Sequence, residues 1–502
     1  MTEPSRVGVI GASFGVTVIG WATAGYGGAI VGIAAALAMF VAPWKGLPAW
    51  VWAFLGLRRN HRSELAVPIT VSNDRAGGGV RYQNGVAITA IQLLGRPHRA
   101  TMLIGSTMTH TENTIDVAAL LTIMKHNLGL IFDSVSVVSA GARRRNTGDY
   151  PRVYDTFIGT SPYAGHRETW LLLRIDAHAN AEALQSRTTV GSAALAATQR
   201  VAAALCCSGV RARVATATEM AELDRRLGSA ALEPSNRRWH CLRGEGGWLT
   251  SYGYESTDIS TDTLALPWSL RVDGVVTNVT LFPDRTATAS VTIRTAQPPT
   301  ASPSVTLRTL PGRQAQALSR HLCAPLPRLR GLSRGPLPES LRVPIGSSGV
   351  LLGKVTVGDR LLLPLDDPGG SSNVHVAAGD PLVKRIIVRA AAAGGQVTVH
   401  TTDADRWSSI RMPNVVVTEQ VRPAVGTTIS VVDGTVLPTP RPTTVLSVGQ
   451  SASAAPASAD VVITQTGPAS VEVRAGGRIH DVDIELFRAE NRYAAVEPAM
   501  SG

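Results

Sequence analysis

The run Gly379-Asp380-Pro381-Leu382-Val383-Lys384-Arg385 is where this 502-residue chain comes nearest to handling phosphate. It follows an apolar stretch, Asn373–Val376, expected as a strand, and opens a helix expected from about Pro381 to Ala393, with a second strand at Gln396–Thr401. A working loop, G-x-x-x-x-G-K-[ST], surrounds phosphate with glycine amides, sets a lysine on the terminal phosphates and a hydroxyl on magnesium. Here the second glycine is missing, Lys384 comes one residue early and Arg385 replaces the hydroxyl. Pro381 removes an amide donor, and Asp380 puts negative charge where phosphate would lie. The run therefore reads as a degenerate P-loop-like β-α-β scaffold with no nucleotide.

Other polar groups say less. His375 and His400 fall on strands expected to be adjacent, with Asp403 and Asp405 following. A metal site would need ligand spacing such as H-E-x-x-H, which is absent, so both are read as core histidines with satisfied hydrogen bonds. Arg167-Glu168 before Trp170 and Arg174-Ile175-Asp176 after it read as charges flanking an apolar strand, a salt-bridged structural element. Gly8-x-x-Gly11 lacks the G-x-G-x-x-G spacing and the later acid of a dinucleotide loop. Gly11-Ala12-Ser13-Phe14-Gly15 matches a nucleophile elbow in letters only, because that motif needs a strand, a turn and a helix at a sheet edge. The four cysteines, Cys206, Cys207, Cys241 and Cys323, form no C-x-x-C pair and read as reduced, buried, cytosolic residues. The residues thus assign no catalytic, cofactor-binding or metal site.

Net charge is +11 and the pI near 10, which suits nucleic acid, anionic lipid or an acidic partner. The densest basic runs, Arg143-Arg144-Arg145 and Arg58-Arg59 with Arg62, are short and carry no nucleic-acid signature. Lipid or protein contact is the expectation, and nucleic acid is not.

The N-terminus is the clearest element. No charged residue stands between Arg6 and Lys45. One helix over that stretch would be about 55 Å long against a hydrocarbon core of about 30 Å. Two spans, about 7–24 and 28–43, with a break at Gly25-Tyr26-Gly27-Gly28, fit instead. Arg6 on one side and Lys45, Arg58, Arg59 and Arg62 on the other place both termini in the cytosol, with Met1 retained. Gly11-x-x-x-Gly15 and Gly28-x-x-x-Gly32 allow close span packing. Residues 45–62, with Leu47, Trp50, Val51, Phe54 and Leu55 on one face, read as an interfacial segment. A cleaved signal peptide ending at Ala22-Thr23-Ala24 is the rival, disfavoured by the second apolar span.

The remainder reads as α/β (mixed α+β) cytosolic domains, at 63–235 and 236–490. Asn84-Gly85 signals a hairpin into the strand Val86–Leu94. Val117, Leu120, Leu121, Met124 and Leu128 make a helical stripe ended by Gly129. Strands are expected at Val135–Ser139, Trp170–Ile175, Ser269–Val272 and Ala287–Ile293, and a long alanine-rich helix carries Val190, Ala194, Ala197, Val201 and Leu205. A helix follows near 312–322, then a hairpin of Gly349–Thr356 and Arg360–Pro364. The stretch 436–459, rich in Pro, Ser and Ala, reads as a mobile linker or surface loop, and Val461–Thr464, Ser470–Arg474 and Val482–Phe487 close the chain.

Taken together, several stretches resemble the EccE family of type VII (ESX) secretion systems of mycobacteria and related actinobacteria. They are Gly79-Val80-Arg81-Tyr82-Gln83-Asn84-Gly85, Tyr154-Asp155-Thr156-Phe157-Ile158-Gly159, and Arg167-Glu168-Thr169-Trp170-Leu171-Leu172-Leu173-Arg174-Ile175-Asp176 with Asn180. Val388-Arg389-Ala390 and Val397-Thr398-Val399-His400-Thr401 extend the likeness, which is strongest over 150–205. The resemblance implies a non-catalytic structural subunit of the inner-membrane secretion complex, supporting assembly and export. Its implied partners are EccB, EccC, EccD and the mycosin protease, with the motor in EccC, so that no nucleotide is needed here. A membrane-tethered, transferase-like enzyme using the C-terminal α/β region, or a basic membrane-surface adaptor, are the alternative classes.

Overall fold

In the computed structural model, which describes residues 18–19, 21–28, 30–31, 33 and 64–494 apart from 74–75, 125–128, 186, 305, 357 and 450–455, Asn84 and Gly85 turn the chain as expected. Both have positive φ, 53° and 78°, the conformation a two-residue hairpin turn demands. They join the antiparallel strands Gly77–Gln83 and Val86–Leu93. These open an antiparallel sheet whose order continues through His166–Asp176, Ser134–Ala142, Gly274–Leu281, Thr286–Thr295 and Gly247–Tyr254.

The central strand His166–Asp176 shows why the sequence there is nearly all apolar: both of its faces are covered. Leu171, Leu173 and Ile175 pack with the long helix Val190–Cys207, while Trp170 and Leu172 pack with the helix Ala217–Leu227. Thr189 caps the first helix, accepting the Ser192 amide at 3.0 Å. Among the described residues Val190–Cys207 alone is long and apolar enough to cross a membrane. Its buried Ala194, Leu195, Ala197 and Val201 make it a core helix of this sheet.

The second sheet is half parallel. Its order is Val415–Thr418, Val397–Thr401, Ile429–Asp433, Thr444–Gly449, Ser372–Ala377 and Val461–Gln465, all parallel. It continues antiparallel through Ser470–Ala475 and Arg478–Asp483 to Val350–Thr356, Asp359–Leu363, Thr101–Ile104 and Met108–Thr111. The helix Asp380–Ala393 lies against it, buried on almost every side, and Tyr150, Tyr154 and Ile158 of the helix Tyr150–Ile158 enter the same core.

Several expectations change. The division at 235/236 is not a sheet boundary, because strands Gly247–Tyr254, Gly274–Leu281 and Thr286–Thr295 complete the first sheet. The polar turn around Pro234–Asn236 only leads to the sheet's edge. Residues 101–111 and 150–158 conversely belong to the second body, so the two bodies share chain segments. Thr444–Gly449, inside the expected linker 436–459, is an interior strand. Its short Val445-Leu446 core was masked by flanking Pro and Ser. Ser269–Val272 is no strand, since the 3-10 turn Leu266–Ser269 precedes it and the strand begins at Gly274. The stripe from Val117 winds as the 3-10 helix Ala118–Ile123.

Of the N-terminal expectations, the described residues of 18–33 are helical, and Gly25 has φ 58°, a left-handed geometry that glycine adopts without penalty. Ile19, Trp21, Tyr26, Ile30 and Val31 are exposed. The rest of the two spans and all of 45–62, with Arg58, Arg59 and Arg62, lie outside the described residues.

Candidate functional site

In an open parallel sheet, ligands bind beyond the carboxyl ends of strands, where the chain switches direction across the sheet. Here that point is Ser372–Ala377. From it the chain crosses through Asp380–Ala393 to Val397–Thr401 on one side, whereas Val461–Gln465 lies on the other. The loop Ala378–Gly379 and the start of the helix therefore sit where a phosphate would be held.

The protein's own side chains fill that position. The Gly379 amide donates to Gln465 Oε1 at 2.8 Å, and Gln465 is oriented by donating Nε2 to the Gly467 carbonyl at 2.8 Å. Asp380 brings a carboxylate to the helix N-terminus, where the backbone dipole favours it. Arg406 then clamps it from a neighbouring strand end, with Nε 2.9 Å from Asp380 Oδ2 and Nη2 on Oδ1. The same guanidinium reaches Asp433 Oδ1 through Nη1 at 2.6 Å. Asp433 Oδ2 also accepts from Trp407 Nε1 at 2.6 Å and Thr401 Oγ1 at 3.1 Å. The Arg406 hydrogen bonds hold the Asp380 carboxyl below its usual range and raise Arg406 in return.

Lys384, the lysine of the loop expected to be P-loop-like, is buried in the helix packing. Burial lowers its ammonium pKa, which the nearby Asp380 partly restores. An entering phosphate would have to displace Gln465 from the amide and break Asp380 from Arg406. What this arrangement does is tie four strand ends, at Ala377, Thr401, Asp433 and Gln465, to one another.

The expected histidine pair is not adjacent: two strands, Ile429–Asp433 and Thr444–Gly449, stand between His375 and His400. Each is buried with its own partners. His375 Nδ1 lies 2.9 Å from Ser447 Oγ, and His400 bridges the Gln420 carbonyl and Ser430 Oγ at 2.8 and 3.0 Å. Asp403 accepts the Arg406 amide instead of approaching either ring, and Asp405 begins a 3-10 turn.

Glu168 does form the expected salt bridge, with Arg226 at 2.8 Å, and also accepts from Trp170 Nε1. Arg174 does not: fully buried, it donates to the Ala324 and Leu322 carbonyls and to Ser136 Oγ, and burial lowers its pKa to about 10. The basic run at 143–145 is not a surface patch either. Arg143 is interior, donating to Asp155 and to the carbonyls of Gly159, Ser161 and Trp268. All four cysteines are free, but Cys206 and Cys207 are exposed at the helix end, and only Cys241 and Cys323 are buried.

Arg406, Asp433 and Gln465 were missed from the sequence. Arg406-Trp407 directly after the two aspartates offered a weak signal. Gln465, 86 residues from Gly379, offered none.

Comparison with known proteins gives one consistent result. Residues 163–254 match the family model for EccE, a type VII ESX secretion system translocon. Over 98% of its length the chain is 46% identical to the ESX-2 secretion system protein EccE2 of Mycobacterium tuberculosis, covering 96% of that protein. It is 27% identical to the ESX-1 secretion system protein EccE1 of Mycobacterium tuberculosis, over 70% of this chain and 72% of the relative. To EccE1 of Mycolicibacterium smegmatis it is 28% identical, with the same coverage.

Proposed function

Because the chain belongs to the EccE family, we propose that it acts without catalysis, as a membrane-anchored contact subunit of its secretion complex. It is a structural component of a type VII (ESX) secretion system. The observation that carries the non-enzymatic part is the self-filled loop. Gln465 occupies the Gly379 amide and Arg406 neutralises Asp380, so the sheet's switch point serves rigidity. A second subunit would then supply the energy of export.

The anchor in this proposal is the two-span hairpin at 7–24 and 28–43, with both termini and the soluble bodies cytosolic. The uncharged stretch from Val7 to Trp44 and its basic flanks support it. The exposed Ile19, Trp21, Ile30 and Val31 are what lipid-facing positions require. EccB, EccC, EccD and the mycosin protease are the proposed partners. Extraction of the full chain from membranes in mild detergent should bring EccB, EccC and EccD with it. Recovery of the chain alone, from cells in which the other subunits are present and intact, would overturn the contact role.

A further inference from the structure

Arg167 is the buried charge that the fold leaves unused. It stands at the start of the central strand, on the face that continues as Leu171, Leu173 and Ile175. Only 6% of it is exposed. Its guanidinium lies over the Trp268 ring, 4.2 Å from the centroid. Among the described residues no carboxylate pairs with it, and its side chain finds no hydrogen-bond acceptor, Nε being fully enclosed. The other deeply buried arginines differ: Arg81, Arg143, Arg385 and Arg389 each hold a carboxylate, Arg174 holds two carbonyls, and Arg320 donates to the Pro327 carbonyl and Thr288 Oγ1. Burial with no compensating anion lowers the pKa of Arg167 to about 10. A buried ion left unpaired is costly.

Arg167 also lines a cavity of about 350 Å³, within the size range of small-molecule sites. Its walls are apolar at Val137, Leu264, Trp268 and Val279, with hydroxyls at Ser139 and Thr277. Asp262 and Arg342, both exposed, line it as well. This is a largely apolar chamber with one buried, unpaired cation, Arg167.

We propose that this cavity binds a small organic monoanion, a carboxylate with a short apolar tail, whose head group pairs with the Arg167 guanidinium. A planar guanidinium matches a carboxylate through two parallel hydrogen bonds. The Trp268 ring fixes the fork by covering one of its faces, and the tail would lie against Val137, Leu264 and Val279. Of the charged lining residues, Arg342 and Asp262 offset each other, so Arg167 leaves one net positive charge for one negative charge to balance. A phosphate dianion would exceed it in a largely apolar chamber, so the carboxylate is favoured.

The test uses the full chain in lipid nanodiscs, with hexanoate, hexanol and inorganic phosphate as probes. Hexanoate should raise the thermal midpoint in a saturable way, while hexanol and phosphate at equal concentration should not. Arg167→Met should bind hexanoate at least tenfold more weakly. It should also melt, without ligand, no lower than the parent, because an unpaired buried charge has been removed. A purely structural Arg167 would give the reverse, a lower midpoint. If Arg167→Met does not fold, Arg167→Lys keeps the charge but loses the fork, and its hexanoate affinity should still fall about tenfold. No saturable shift with hexanoate, an equal shift with hexanol or phosphate, or undiminished binding in the variants would each overturn the assignment.

Discussion

Glu490 grips Arg389 side-on: Arg389 Nε donates to Oε1 at 2.7 Å and Nη2 to Oε2 at 2.9 Å, with both side chains buried. Tyr150 also donates its hydroxyl to Glu490. The carboxylate thus joins three elements distant in sequence: the helix Tyr150–Ile158, the helix Asp380–Ala393 and the C-terminal turn Arg488–Glu490. Burial disfavours the Arg389 charge, yet the Glu490 contacts outweigh it and raise its pKa, while burial and Glu490 push the Tyr150 hydroxyl well up.

Removing one partner of such a pair strands the other. Glu490→Gln should therefore cost about 3–5 kcal/mol, seen as a lower urea midpoint. The double variant Glu490→Leu with Arg389→Met should recover part of the loss, since Arg389 is no longer stranded; the recovery is incomplete because Arg385, 3.5 Å from Glu490, still loses its carboxylate. A double variant as unstable as the sum of its single changes would show that the ion pair is not the source.

The Gln465–Gly379 hydrogen bond predicts indifference to nucleotide. Titration of the purified chain with magnesium-ATP should show neither saturable binding nor hydrolysis, and Lys384→Ala should leave secretion intact. Arg406→Ala should lower the thermal midpoint by freeing Asp380 and Asp433, without creating an ATP site. Saturable ATP binding lost in Lys384→Ala would mean that the loop is a working one.

His321 makes acid the sensitive side of the stability curve. The ring is wholly buried, neither nitrogen has a partner among the described residues, and burial, with Arg320 beside it, lowers its pKa from 6.5 to about 3. Above pH 6.5 the imidazole is neutral whether the chain is folded or unfolded, so it adds no pH dependence. As pH falls from 6.5 toward 3, the unfolded chain binds a proton that the folded chain refuses. Stability should then drop by about 1.4 kcal/mol per pH unit from this group. In His321→Leu the acid limb, followed by urea midpoints at successive pH values, should be shallower by that amount. An unchanged limb would mean that the ring titrates alike in both states.

What the sequence made legible follows from where the stabilising information sits. The helix Asp380–Ala393 and the strand Ser372–Ala377 were read within a residue or two, because Gly379 and Gly394 punctuate an apolar run at either end. Asn84-Gly85 announced its own hairpin. The strand Thr444–Gly449 was hidden, because its right to exist comes from parallel neighbours at 372–377 and 429–433 rather than from its own composition. The same holds for charge. Arg143 and Arg174 look like surface residues until the carbonyls that chelate them are brought round by the fold. The closed loop was half visible: Asp380 and Pro381 argued against phosphate, but Arg406, Asp433 and Gln465 arrive only through sheet order.

The last prediction separates anchoring from recognition. The proposed hairpin, residues 7–43, carries small-residue spacings at Gly11/Gly15 and Gly28/Gly32 and no charged residue, which would suffice for insertion and close packing. They offer little polar surface with which to choose one partner over another. The two sheet bodies offer a large, varied surface, held rigid by pairs such as Arg389–Glu490 and Arg406–Asp433. A chain of residues 1–62 should therefore reach the membrane but restore neither secretion nor recovery of the other core subunits, in cells lacking the wild-type protein. Residues 63–502 alone should also fail to restore secretion, because losing the anchor lowers their effective concentration at the complex. Attaching an unrelated two-span anchor to 63–502 should restore part of the secretion, since it returns concentration without the native packing faces. Full restoration by 1–62 alone would place recognition in the proposed hairpin and remove the two sheet bodies from that role.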